Sequence, residues 1–128
     1  MNMNGVLLGS EKPKELAAFY TKMFGEPAWK DEDNGWTGFM IGQGFLGMGP
    51  HSEVKGKSES PGRVMIQIET KDVKGEFEKF KDRGAEVVAE PYQPTMAGDG
   101  LWLATLADPD GNYFQLASPW EPPADGKK

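Results

Sequence analysis

Asp108-Pro109-Asp110-Gly111-Asn112 spells a tight turn. Proline presets φ at one central position, and glycine accepts the positive φ that closes the loop. On either side lie apolar stretches, Leu101 to Leu106 and Tyr113 to Ala117, which read as two strands. Upstream, Glu86 to Ala89 is another short strand candidate. Before it comes a helix: Asp72 puts acid in the first turn, Val73, Phe77 and Phe80 recur at i, i+4 and i+7, and Gly84 stops it. Val64-Met65-Ile66-Gln67-Ile68 precedes that helix as a strand. The second half therefore runs strand, helix, three strands.

The first half repeats this grammar. Val6-Leu7-Leu8 reads as a short buried strand. Ser10-Glu11-Lys12-Pro13 then opens a helix, with Ser10 as the expected cap and Pro13 in the first turn. Leu16, Phe19, Tyr20, Met23 and Phe24 fall on one helical face, and Gly25 ends it. Three strand candidates follow: Ala28 to Lys30, Trp36 to Ile41 and Phe45 to Met48, divided by Asp33-Asn34-Gly35 and Gly42-Gln43-Gly44. The expected organisation is one structural domain overall: a first βαβββ module over residues 1–50, a linker over 51–62, a second module over 63–119 and a flexible tail over 120–128. Pro91 to Gly100 is a second long loop, a candidate lid with Gly98 and Gly100 as hinges.

Composition narrows the chemistry. The 128 residues hold 14 Lys+Arg against 20 Asp+Glu, a net charge of −6. An acidic chain without a basic run has no electrostatic reason to bind nucleic acid or an anionic membrane. Cysteine is absent, so there is neither a disulfide nor a thiolate ligand. With no basic-then-apolar leader at the N-terminus, a cytoplasmic location is expected. The single histidine, His51, excludes chemistry that needs two imidazoles in one subunit. No serine stands in a nucleophile elbow, and Gly42-x-Gly44-x-x-Gly47 lies between strands instead of opening a helix, so it is not a dinucleotide loop.

The duplicated frame, with Phe19-Tyr20 and Gly25 in its first helix and Asp108-Pro109-Asp110-Gly111-Asn112 near its end, resembles the vicinal oxygen chelate superfamily. That superfamily includes glyoxalase I, extradiol dioxygenases, fosfomycin-resistance enzymes and bleomycin-resistance binding proteins. The resemblance runs from about Gly5 to Pro119. It implies an α+β fold: two βαβββ modules forming a curved mixed sheet around a cavity, helices outside. It also implies a pocket made within one chain or across a dimer. A homodimer is expected, because a small two-module chain leaves sheet edges and apolar surface to cover.

Metal-dependent members place a His on the first strand, a His opening the second module's strand and a Glu in the last strand. The matching positions here are Gly5, Met65 and Gln115, and a further acidic position falls among Gly47, Met48 and Gly49. Glycine has no donor, a thioether is soft and neutral, and an amide leaves the charge of a divalent ion uncompensated. The expectation is no metal, no other cofactor and no assigned catalytic residue.

Candidate ligand-binding residues are Met65, Gln67, Gln115, Trp36, Phe39, Met48, Trp102 and Tyr113. Met65, Gln67 and Glu69 share one strand face, either lining a cavity or split between core and solvent. Gln115 needs partners if buried, and its amide suits ligand recognition equally. The aromatic residues either wall a pocket or pack the core. His51, with Glu53 nearby, is an acid/base candidate without an orienting partner, or simply exposed. The expected function is binding of a small aromatic or amphipathic molecule in a metal-free pocket. The alternative is a glyoxalase-like lyase or dioxygenase-type enzyme with a non-standard site.

Overall fold

A computed structural model describes residues 1–94 and 100–119. The first module comprises β1 (Gly5–Ser10), α1 (Pro13–Phe24), β2 (Trp29–Asp31), β3 (Trp36–Ile41) and β4 (Gly44–Pro50). The second comprises β5 (Ile66–Glu69), α2 (Val73–Asp82), β6 (Glu86–Tyr92), β7 (Leu103–Ala107) and β8 (Tyr113–Ala117). The fold is α+β, two βαβββ modules, each with a four-stranded mixed sheet. The strand orders are β1-β4-β3-β2 and β5-β8-β7-β6. In each sheet the first strand pairs parallel with the last, and the other neighbours are antiparallel. The chain divides into two compact units. Among the described residues, one holds Met1–Arg63 with Asp108–Asn112, and the other holds residues 64–94, 100–107 and 113–119. The turn read first in the sequence therefore groups with the opposite half of the chain.

In the first unit, α1 buries Leu16, Phe19, Tyr20 and Met23, the face its spacing predicts. Its N-cap is Lys12, not Ser10, and it has no side-chain cap. Ser10 lies at the end of β1, 1% exposed, and its Oγ accepts the Lys12 N–H at 2.9 Å. The hydroxyl thus shapes the turn into the helix, and Pro13 in the first turn, lacking an N–H, leaves one fewer donor to cap. Gly25 closes α1 at φ 95°, a conformation costly for a residue with a Cβ. Phe39, Leu46 and Met48 form the buried side of the first sheet.

In the second unit, Asp72 caps α2 by accepting the Gly75 N–H at 3.0 Å. Val73, Phe77 and Phe80 are buried, and the Phe80 ring meets Phe114 of β8 at 6.0 Å between centroids. Each such aromatic ring contributes about 1.5–3 kcal/mol on burial. Phe114 and Leu116 thus point to the helix, while pleating turns Tyr113, Gln115 and Ala117 to the other side. β5 starts at Ile66, so Val64 and Met65 precede the strand, 72% and 42% exposed. The expected tail and the centre of the expected lid, residues 95–99, lie outside the described residues. Among the described residues no helix is long and apolar enough to cross a membrane.

Candidate functional site

On the helix-free face of the second sheet, Gln67, Gln115 and Thr105 stand in one cross-strand row over β5, β8 and β7. Gln67 Nε2 donates to Gln115 Oε1 at 2.8 Å, and Gln115 Nε2 donates to Thr105 Oγ1 at 3.4 Å. Gln67 is exposed, whereas Gln115 and Thr105 are 8% and 6% exposed. The row thus runs from solvent into the protein. Register places Ala89 beside Thr105, and Tyr113, Ala107, Ala117, Leu103 and Glu69 in the flanking rows. Of the residues expected to bind a ligand, Gln67, Gln115 and half-buried Tyr113 share this face. Met65 lies just before it, exposed. Trp102 precedes β7, and one face of its indole is covered by Lys74 Nζ at 3.9 Å from the ring centre.

The first sheet's corresponding face is paved with glycine. Alternation and register place Gly5, Gly9, Gly38, Gly47 and Gly49 together on it. Neighbouring side chains lie across these positions. A Cβ on Gly38 would stand 2.6 Å from Phe45 Cε1, one on Gly47 3.0 Å from Leu7 Cδ2, and one on Gly49 would strike the Trp36 indole. Trp29 Cε3 approaches Gly38 as well, and His51 Cβ lies over Gly9. The rings therefore lie flat on backbone instead of standing off it. Half-buried Trp36 also walls a cleft of about 500 Å³ between α1 and the β2–β3 hairpin, with Ala17, Thr21, Lys14 and Lys30. Phe39 and Met48 are different. At 2% and 0% exposed, they lie on the buried side of the sheet, opposite the glycine face. Their strand positions put them one pleat away from Gly38 and Gly47, and that parity decides which side they face.

The positions that hold metal ligands in related sites do not fit an ion here. At Gly5 a Cβ would lie 2.9 Å from Phe45 Cβ and closer still to its carbonyl oxygen, so a histidine there has no room. Met65 is exposed outside the strand, and the Gln115 amide is already bonded to Gln67 and Thr105. Gly47 and Gly49 are seats for rings. Among the described residues no three His, Asp or Glu side chains gather in a metal-binding group. His51 is exposed, and its Nδ1 accepts the Glu53 N–H at 3.1 Å, a local loop contact.

Phe45, Trp29 and Thr105 escaped sequence reasoning. The glycine paving did leave a signal, Gly5-x-x-x-Gly9 and Gly47-x-Gly49 at same-face spacing. The link between the two motif fragments left none. Tyr20 Oη donates to Asp108 Oδ2 at 2.7 Å. Asp108 also accepts from Asn112 Nδ2 at 3.0 Å and, through Oδ1, from the N–H groups of Asp110 and Asn112. Burial raises the Asp108 pKa above the usual carboxylate value, and the bonds from Tyr20 and Asn112 only partly oppose that. Burial, then the nearby Asp108 charge, holds the Tyr20 phenol well above its ordinary value.

A family model described as "Glyoxalase-like domain" matches residues 5–117. Among solved structures, a glyoxalase-related enzyme from Fulvimarina pelagi is 19% identical with a TM-score of 0.74, over 99% of this chain and 96% of that one. A glyoxalase/bleomycin resistance protein/dioxygenase family enzyme from Burkholderia phytofirmans PsJN is 20% identical, TM-score 0.69, over 92% and 98%. A glyoxalase/bleomycin resistance protein/dioxygenase from Nocardioides is 15% identical, TM-score 0.72, over 100% and 89%. At these identities the likeness speaks for the fold. No match was found among curated proteins.

Proposed function

The chain belongs to the glyoxalase-like family of the vicinal oxygen chelate superfamily, and from that premise we propose that it is a metal-free member that binds a small aromatic or amphipathic molecule. The observation that carries this reading is Gln115. The resemblance matches it to a carboxylate ligand of metal-dependent members, and its neutral amide is tied into a row with Gln67 and Thr105. A divalent ion there would meet dipoles where it needs charge. The glycine-paved face, with Phe45, Trp36 and Trp29 lying flat, offers the kind of apolar surface that planar rings stack on. The protein is proposed to act as a homodimer.

The test is metal analysis of protein purified without chelator and offered Ni, Co, Zn and Fe, followed by dialysis. Substoichiometric retention of every ion, together with saturable binding of aromatic fragments by calorimetry, is the expected result. One ion retained per chain overturns the reading and returns a lyase or dioxygenase-type enzyme as the account.

A further inference from the structure

The cleft between α1 and the β2–β3 hairpin lies wholly within the first compact unit. It holds about 500 Å³, a volume within the range of small-molecule pockets. Two periodicities build its walls. Lys14, Ala17, Ala18 and Thr21 recur at i, i+3, i+4 and i+7, so they share one stripe of α1, beside the stripe that buries Leu16, Phe19, Tyr20 and Met23. Two alanines in the middle of that stripe leave the space that larger side chains would fill. Across the cleft, Lys30 and Thr37 are cross-strand partners on β2 and β3. Alternation turns them to the opposite side of the sheet from Trp29 and Gly38. The cleft is therefore separate from the glycine-paved face, with the sheet between the two.

The lining carries both signs of charge. Lys14 and Lys30 make no ion pair among the described residues, and the Thr37 hydroxyl has no hydrogen-bond partner among them. Lys14 stands in the first turn of α1, where the helix dipole adds to its positive charge. Asp31 and Glu32 continue the wall past Lys30. Asp31 is fixed in place, its carboxylate accepting from the Asn34 N–H at 3.3 Å and from Asn34 Nδ2 at 2.9 Å. Glu32 is exposed beside it. A simple anion here is attracted by two lysines and repelled by two carboxylates, and a simple cation meets the reverse. A molecule that carries both charges gains from both pairs.

We infer that this cleft is a second binding site and that it takes a zwitterion of the amino-acid kind. The ligand's carboxylate faces Lys14 and Lys30, its ammonium faces Asp31 and Glu32, and its apolar part lies against Ala17 and Ala18. The Thr37 hydroxyl donates to the carboxylate beside Lys30. Binding here includes no bond-breaking step and does not rest on the function proposed above.

Three probes share a phenyl ring and a two-carbon chain and differ in charge: phenylalanine, 3-phenylpropionate and 2-phenylethylamine. Each is titrated at pH 7 and low salt into the full chain, and the methyl signals of Ala17, Ala18 and Thr37 are followed by carbon-13 NMR. Phenylalanine is expected to bind about threefold or more tighter than either ion, the modest factor that exposed ion pairs supply, and to shift all three methyl signals. Lys30→Gln is expected to narrow the margin over phenylethylamine, and Glu32→Gln the margin over phenylpropionate; both positions are exposed. Ala18→Leu, at an exposed helix position that suits leucine, is expected to fill the cleft and abolish binding of all three. An ion binding as tightly as phenylalanine overturns the inference. So does phenylalanine binding that leaves the three methyl signals unmoved or survives Ala18→Leu unchanged, and so does the absence of binding by all three. Metal analysis reads the function proposed above and leaves this site untouched, so the two failures are distinguishable.

Discussion

Replacing Tyr20 with phenylalanine removes one oxygen and leaves the ring. The ring keeps its T-shaped contact with Phe19 at 5.0 Å and its stack on Phe24 at 5.8 Å. What disappears is the 2.7 Å bond from the buried phenol to the Asp108 carboxylate. Hydrogen bonds to charged groups contribute about 1.5–3 kcal/mol, and the carboxylate left behind is buried with one donor fewer. For a chain of this length the expected loss is about 2 kcal/mol, or roughly 5–10 °C in Tm.

The pH dependence has a definite sign. The folded Asp108 pKa is raised above its unfolded value, so between the two the folded state binds more protons and stability falls as pH rises. Losing the Tyr20 donor, the larger of the opposing bonds, raises that folded pKa further. The deficit of Tyr20→Phe relative to the parent is therefore full above the folded pKa and shrinks as acid protonates Asp108. Thermal melts of both proteins from pH 7 down through the carboxylate range measure this directly. A deficit below about 0.5 kcal/mol at neutral pH, or one that grows on acidification, would refute the reasoning.

Two further outcomes follow from the geometry. Gly5→His is expected to destabilise the fold by about 1–3 kcal/mol or more and to gain no affinity for Zn or Ni, because the new Cβ collides with Phe45 before the imidazole can point anywhere. Melting and metal calorimetry on the same sample check both parts. Asp72→Ala is expected to cost about 1 kcal/mol in urea unfolding, through loss of the bond from the Gly75 N–H that caps α2.

Both helices were legible because Leu16, Phe19, Tyr20 and Met23, and then Val73, Phe77 and Phe80, repeat at a spacing only a helix can bury on one side. Strand faces were harder. Alternation shows that Phe39 and Met48 differ in side from Gly38 and Gly47, yet an apolar strand does not declare which side meets the helix. Only the packing of α1 made them core. Gln67 and Gln115 were visible as polar residues in apolar strands that needed partners. Thr105 was not, because a threonine fits a strand without any special reason. Ser10 misled because the sequence places a good capping residue just upstream of Pro13, while the backbone there is still strand. The Tyr20–Asp108 bond spans 88 residues, and no local pattern encodes a contact at that range.

The glycine floor of the first sheet makes each ring and the backbone beneath it a single inherited unit. Widening residue 49 evicts the indole of Trp36, so size at one site is tradeable only against size at the other. Anyone reshaping this surface by varying its visible aromatics alone would explore half of the available designs. Descendants with bulk at position 49 are expected to have surrendered it at position 36.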